Sequence, residues 1–451
     1  MSLRDHPKAY GTAALTVAFA AGILITLGFK DFYPDLEKRY QTNRKRLTRK
    51  PSGAQFRRSS IFFDQASLPV ELEDREEESD EDVIAGEDFR PVAEGIEGCI
   101  GNTPLIQIRS LSEATGCVIL AKAEFLNGAG QSPKDRVALN MIREAEKKGL
   151  LVPHRGDTIY EGTVGSTGIS IAVLARALGY KAHICMPDDQ SKEKSDLLHH
   201  LGATVERVPV APITSPDHFV NLARRRAKEH TESAETESRG FFADQFESEA
   251  NYRAHLKTTG PEIYAQTEGK IDAYVAGAGT GGTLSGVAKY LKEDRGMTKL
   301  RVVLADPQGS GLYNRVKHGV MYASTEKEGT RRRTQVDTIV EGIGINRITE
   351  NFEAGRELVD DAVRVTDEQA CRMARWLVEN DGIFAGSSSA VNCVAAVVTA
   401  LSLPKGSRVV TVLADSGTRH LSKFWKHVAE MGLEEEEHQD LISTLGLQQN
   451  E

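Results

Sequence analysis

Lys134 stands in the run Ser132-Pro133-Lys134-Asp135-Arg136, on a Gly/Ser/Pro-rich bend just before a helical pattern. A lysine amine can form a Schiff base with a carbonyl, and a bend ahead of a helix is a place from which it could reach one. Further along, Gly279-Thr280-Gly281-Gly282-Thr283 follows a strand pattern and opens a helix pattern. Backbone N–H groups and the helix dipole converge there on any dianion, and the threonine hydroxyls add donors. An amine combined with a phosphate cradle points to a pyridoxal phosphate enzyme. A nicotinamide reading stays open beside it, because Gly277, Gly279 and Gly282 satisfy G-x-G-x-x-G and Asp306 ends the next strand pattern, where a ribose-binding acid would sit. The bland readings are a solvated lysine and glycines that only let elements pack.

Three segments add specificity: AKAEFLNGAGQSPKDRVALNMI (residues 121–142), KTTGPEIYAQTEGKIDAYVAGAGTGGTLSGV (257–287) and GNTPLIQI (101–108). Together they resemble the cysteine synthase and cystathionine β-synthase family of fold-type II, tryptophan-synthase-β-like pyridoxal phosphate enzymes. The likeness runs from about Gly95 to Lys426 and extends to the membrane-anchored fungal members. It implies an α/β fold of two three-layer αβα domains with pyridoxal 5'-phosphate in the cleft between them. It implies Lys134 as the catalytic and cofactor-holding residue, Gly279, Thr280, Gly281, Gly282 and Thr283 as the phosphate loop, and Ser388 at the ring nitrogen. In the loop Thr163-Val164-Gly165-Ser166-Thr167-Gly168 the family's T-S-G-N-T-G grips the substrate carboxylate, and its asparagine bonds the cofactor's ring oxygen. Here Val164 replaces the serine and Ser166 the asparagine, so a shorter side chain must reach that oxygen. Thr163, Gly165, Thr167 and Gln245 complete the expected substrate contacts, Gln245 being on its own merits an ordinary polar loop residue.

Further departures concern geometry. NGAGQSPKDR carries one residue more between Asn127 and Lys134 than the family's usual spacing, and Glu341-Gly342-Ile343-Gly344 stands where many members have Q-G-I-G. Asp415-Ser416-Gly417 corresponds to the loop beside the pyridine ring. Asp135 and Arg136 read as structural partners that fix the lysine loop. Ser387 to Ser389 could also cap a helix starting near Ala390. A serine at the ring nitrogen would not hold a proton there, which suits β-elimination and β-replacement better than transamination. The implied reaction joins O-acetyl-L-serine and sulfide into L-cysteine. Alternatives are a β-elimination lyase, either a cysteine desulfhydrase or a serine/threonine dehydratase, and a membrane-tethered paralogue without activity. No metal site is expected, and a homodimer is implied by the resemblance.

The elements that must position these residues follow from pattern. From Gly95 onward short apolar runs alternate with helical periodicity, which predicts parallel sheets covered by helices on both faces. Strands are predicted at Asp157–Glu161, KAHICMP, ATVERVPV, IDAYVA and LRVVLAD, and the polar stretch from about 211 to 240 is predicted to carry the chain toward a second domain. Thr366-Asp367-Glu368-Gln369 is a capping box for a helix running to Asn380. The predicted organisation is an anchor at 1–30, a charged linker at 31–94, α/β domains at 95–240 and 241–430, and a polar tail at 431–451.

Length and composition agree: 451 residues at 40% apolar content bury a large core and divide into two domains. The net charge of −9, with a basic cluster from Lys30 to Arg58 balanced by an acidic run from Glu71 to Asp88, argues against nucleic acid as a partner. Five cysteines without a CxxC pair favour a reducing compartment. From Gly11 to Phe29 nineteen residues carry no charge, enough for a marginal membrane span. Ten Lys/Arg follow it by Arg58 against Arg4 and Lys8 before it, so the positive-inside bias leaves the catalytic part in the cytosol. A single-pass anchor in the mitochondrial outer membrane is predicted, with a secretory signal cleaved near Ala18-Phe19-Ala20 or a removable mitochondrial targeting segment as the alternatives.

Overall fold

The computed structural model describes residues 92–190, 192–321, 338–433 and 440–447. The predicted span at 11–29 and nearly all of the predicted linker lie outside the described residues, and Phe89–Glu451 forms one compact unit. Among the described residues no helix is long and apolar enough to cross a membrane.

Among the described residues ten strands make two sheets. In chain order they are β1 (Leu105–Gln107), β2 (Val118–Ala123), β3 (Thr158–Gly162), β4 (Lys181–Pro187), β5 (Thr204–Val208), β6 (Gly240–Phe242), β7 (Ala273–Gly277), β8 (Arg301–Pro307), β9 (Asp361–Val365) and β10 (Arg408–Leu413). The large sheet has the order β1-β2-β10-β7-β8-β9 and the small one β5-β4-β3-β6. The helices that matter for the site are α1 (Lys134–Lys147), α2 (Ser166–Ala177), α3 (Phe219–Glu232), α4 (Ala250–Lys257), α5 (Gly282–Ala288), α6 (Asp367–Asp381) and α7 (Ser387–Leu401).

β3, β7, β8 and β10, the last three built mainly on apolar runs, are buried along almost their whole length, as strands covered on both faces must be. One face of the large sheet packs on α6 and α7 through Val275, Val303, Leu377, Val394 and Val409; the other packs on α5 through Val302, Leu304, Leu284 and Val287. The small sheet buries Ile159 and Ile184 against Val137 and Ile142 of α1 and Ile171 of α2, and its reverse face carries Cys185 against Leu222 and Ala223 of α3. Each sheet is therefore the middle of three layers. Of the five cysteines only Cys99 is exposed, and none is in a disulfide.

Three expectations change. The sheets are not wholly parallel, because β1 runs antiparallel to β2, with Leu105 opposite Lys122. Only residues 108–117 join them, too short a link for a parallel crossover. Both strands belong to the large sheet, beside β10, although they precede all four strands of the small one. The stretch at 211–240 does not lead the chain away: α3 covers the small sheet and β6 adds its last strand beside β3. The capping box at Thr366 forms as expected, with reciprocal bonds of 3.1 Å to Gln369, and α6 ends at Gly382 in the left-handed conformation (φ 66°).

Candidate active site

Lys134 is the first residue of α1, and the chain before it is held by its own neighbours. Asp135 is fully buried; its carboxylate accepts the Gly130 N–H at 2.7 and 2.8 Å and the Ser170 hydroxyl at 2.6 Å. Arg136, also buried, donates to Glu124 at 2.8 Å and to Glu262 at 2.6 Å. Both residues thus clamp the bend, as the sequence suggests, and Gln131 turns it in the left-handed region (φ 53°). The Lys134 amine itself has no hydrogen bond or ion pair among the described residues. Burial pushes it down to about 8, against the opposing pull of the Asp415 carboxylate.

The glycine turn before α5 is shaped by close approach. Gly281 has φ 85°, and a Cβ there would stand 2.6 Å from the Phe352 backbone; at Gly279 and Gly282 a Cβ would collide with Gly342 O and Asn251 Oδ1. The amides of Gly279, Thr280 and Gly281 make no hydrogen bond among the described residues. Three orphan donors at the opening of a helix form a cradle for an anion. The threonines are oriented from α4, where Asn251 and His255, one turn apart and fully buried, reach Thr280 Oγ1 (3.0 Å) and Thr283 Oγ1 (3.1 Å). Burial, with the Arg136 and Lys134 charges, holds His255 well below the usual imidazole range, so it is neutral.

The second loop meets the first through shared partners. Thr167 Oγ1 donates to Gln245 Oε1 at 2.6 Å, and Asn251 Nδ2 donates both to Gln245 O at 2.6 Å and to Thr280. Gln245 is buried rather than a solvated loop residue. Thr163 Oγ1 accepts the Gly165 N–H at 3.3 Å, Val164 exposes its side chain, and Ser166 opens α2. Beneath them Glu161 is fully buried, pushed up to about 8 by burial although it accepts the Gly162 and Gln245 amides.

The serines at 387–389 lie inside α7 and do not cap it: Gly386 is the N-cap and no side chain caps the end. Ser387 Oγ accepts the Glu341 N–H at 3.0 Å and Ser389 Oγ accepts the Ala414 N–H at 2.8 Å. Ser388 Oγ, buried, has no partner among the described residues. Against this end of α7 lies Asp415, whose Oδ2 is 2.9 Å from His420 Nε2 while its buried Oδ1 has no partner among the described residues. Burial opposes the charge on His420, but Asp415 outweighs it and raises the imidazole above its usual value. Arg419 closes the remaining side, donating from Nη1 to Ser166 Oγ at 3.4 Å and from Nη2 to Gly130 O.

A pyridoxal phosphate fits these vacant groups: an unpaired amine, three unpaired amides and one unpaired serine hydroxyl, each on a different element. The nicotinamide reading fails at Asp306, which is fully buried and accepts the Tyr313 N–H at 2.7 Å, so it cannot meet a ribose. One trio of metal-binding types, His183, Cys185 and Glu206, lies on the α3 face of the small sheet, where Arg226 already pairs with Glu206 at 2.8 Å. Asn251, His255, Arg419 and His420 were not marked by sequence. For the first two the signal is a pair of polar residues at i and i+4 on a face that must be buried.

A family model described as pyridoxal-phosphate dependent enzyme matches residues 96–415. The chain is 70% identical to cysteine synthase 2 of Neurospora crassa over 461 residues, covering 100% of this chain and 99% of that protein. A Saccharomyces cerevisiae protein provisionally named a mitochondrial cysteine synthase is 59% identical over 338 residues, 75% of this chain and 85% of that protein. The crystal structure of O-ureido-L-serine synthase matches with a TM-score of 0.64 at 30% identity, covering 78% of this chain and 98% of that one.

Proposed function

The chain belongs to the family of pyridoxal-phosphate dependent enzymes, and from that premise we propose that it is a cysteine synthase, forming L-cysteine and acetate from O-acetyl-L-serine and sulfide. The observation that carries this reading is the Lys134 amine, without a hydrogen bond or ion pair among the described residues and lowered to about 8 by burial, in a site whose other unpaired donors suit a phosphorylated pyridine. Bound pyridoxal phosphate supplies an electron sink that makes the Cα proton of an amino acid removable. Lys134 holds the cofactor; the orphan amides of Gly279, Thr280 and Gly281 and the hydroxyl of Thr283 hold its phosphate, with Gly282 giving the turn its close packing. Ser388 would donate to the ring nitrogen and Ser166 would face the ring oxygen. Thr163, Gly165, Thr167 and Gln245 receive the substrate carboxylate, with the exposed Val164 at the loop's rim. The Lys134 amine would take the Cα proton of the bound amino acid as acetate leaves Cβ, and would return it after sulfide has added to Cβ.

The test is direct. Full-length protein given pyridoxal phosphate should gain a visible absorption band, and with O-acetylserine and sulfide should release cysteine. Borohydride reduction should leave the cofactor on the peptide carrying Lys134. Pyruvate in place of cysteine would assign a β-elimination lyase, and a bound cofactor that responds to no β-substituted amino acid would assign a paralogue without activity.

The same reading includes a homodimer, to be tested by sedimentation, and an anchor at Gly11–Phe29 in the mitochondrial outer membrane with the catalytic part toward the cytosol. The charge asymmetry around that span supports the orientation, and the name of the Saccharomyces relative supports the organelle. Protease added to intact mitochondria should remove the catalytic part; protection would overturn this placement.

A further inference from the structure

Ser166 stands where the family resemblance places an asparagine that bonds the cofactor's ring oxygen, and its hydroxyl replaces a carboxamide that reaches one bond further. The structure puts another donor beside it. Arg419 lies in the turn after β10, on the large-sheet side of the cleft, and reaches across to both loops of the small-sheet side: Nη1 to Ser166 Oγ at 3.4 Å and Nη2 to Gly130 O in the lysine bend. A guanidinium has five N–H donors in a fixed fork, and these two contacts are the only side-chain bonds Arg419 makes among the described residues. It forms no ion pair within 4.0 Å among them either, although Asp415 and Asp135 lie near enough to act on its charge. Arg136, buried where Arg419 is only partly so, is matched by two glutamates. Partial burial works against the Arg419 charge, and the donors its two contacts leave over face the cleft, where an oxygen ligand could complete them.

We propose that Arg419 is a positioning residue for the cofactor, its guanidinium supplying beside Ser166 the hydrogen bond to the ring oxygen that an asparagine at 166 would otherwise make. This rests on the pyridoxal phosphate reading above. It adds a chemical consequence, since a cation in place of a neutral amide favours the ionised form of that oxygen. The substitution at 166 and the arginine at 419 are then one device. Ser166 makes room for the guanidinium, and the guanidinium ties the lysine bend to α2.

The experiment uses full-length protein and four variants, R419M, R419K, S166N and R419M/S166N, titrated with pyridoxal phosphate and followed by the visible band across pH 6 to 9. Removing a charge-assisted hydrogen bond should weaken cofactor binding in R419M about tenfold and move the band or its pH midpoint. S166N should recover most of that loss in the double variant, because it restores the amide, and R419K should fall between R419M and wild type. A purely structural arginine would not be rescued by an asparagine at 166. Unchanged affinity and spectrum in R419M, or no recovery in R419M/S166N, overturns the proposal. Should R419M not fold, the comparison of R419K with R419K/S166N applies the same criterion. A wild-type protein that gains no visible band at all would instead overturn the underlying cofactor reading.

Discussion

A lysine can act as a base only in its neutral form, and at Lys134 the protein arranges this by enclosure rather than by a neighbouring cation. Burial lowers the amine to about 8 from its ordinary value of 10.5, while Asp415 limits the fall. Cofactor capture needs the neutral amine, so its rate should climb with pH and level off above about 8. The rate of appearance of the visible band between pH 6.5 and 10.5 measures this, and a rate still rising steeply past pH 10 would contradict the assigned environment. Because Asp415 opposes the shift, D415N should move the midpoint to lower pH. K134A removes the amine and should abolish both the covalently held cofactor and turnover, a loss of at least about a hundredfold by the usual weight of a general base. The fold should survive this change, since the amine holds no hydrogen bond or ion pair among the described residues.

At the level of elements, the turn Gly279–Thr283 depends on backbone geometry more than on side chains. An alanine at Gly281 would meet the Phe352 backbone and would hold a left-handed φ, costing roughly 1–2 kcal/mol from the conformation alone. G281A is therefore expected to lower the urea midpoint and to weaken phosphate binding together. T366A is its counterpart: loss of the capping box should cost about 1 kcal/mol with kcat and KM unchanged, because among the described residues the Thr366 hydroxyl bonds only the first turn of its own helix. These two elements also show what can be read from a chain. The glycine pattern of the turn and the whole capping box lie within five contiguous residues, so sequence alone exposes them, as it does the amine at Lys134. Asn251, His255 and Arg419 become meaningful only when folding brings them to residues 28 to 253 positions away. The antiparallel pairing of β1, which departs from the expectation of parallel sheets, has a related cause: strand polarity is set by the length of the connection and not by the three residues of the strand. Ser387 and Ser389 resembled caps, yet folding pairs them with the amides of Glu341 and Ala414.

On the scale of the whole molecule, the active site spans two sheets, and its geometry depends on what locks them together. Arg136 on α1 belongs to the small-sheet side; Glu124 directly follows β2 of the large sheet, and Glu262 lies in the helix Thr259–Gln266 packed on that sheet. Lys122 of β2 completes the group, 2.7 Å from Glu262. Two cations and two carboxylates thus meet almost without water at the base of the lysine bend. Burial resists ionisation of Glu262, but Arg136 and Lys122 outweigh it and hold the carboxyl at about 2, below its ordinary 4.5. A carboxyl depressed on folding contributes stability above its unfolded pKa and loses it as pH falls toward the folded one. The contribution of Glu262 should therefore be complete above about pH 4.5 and fade toward pH 2. E262A leaves two buried cations facing one glutamate and should cost about 3–5 kcal/mol at pH 7. Urea unfolding of wild type and E262A at pH 7 and at pH 3 decides the matter: the gap between them should narrow in acid. An equal gap at both pH values would mean that packing, and not this charge cluster, joins the two halves of the site.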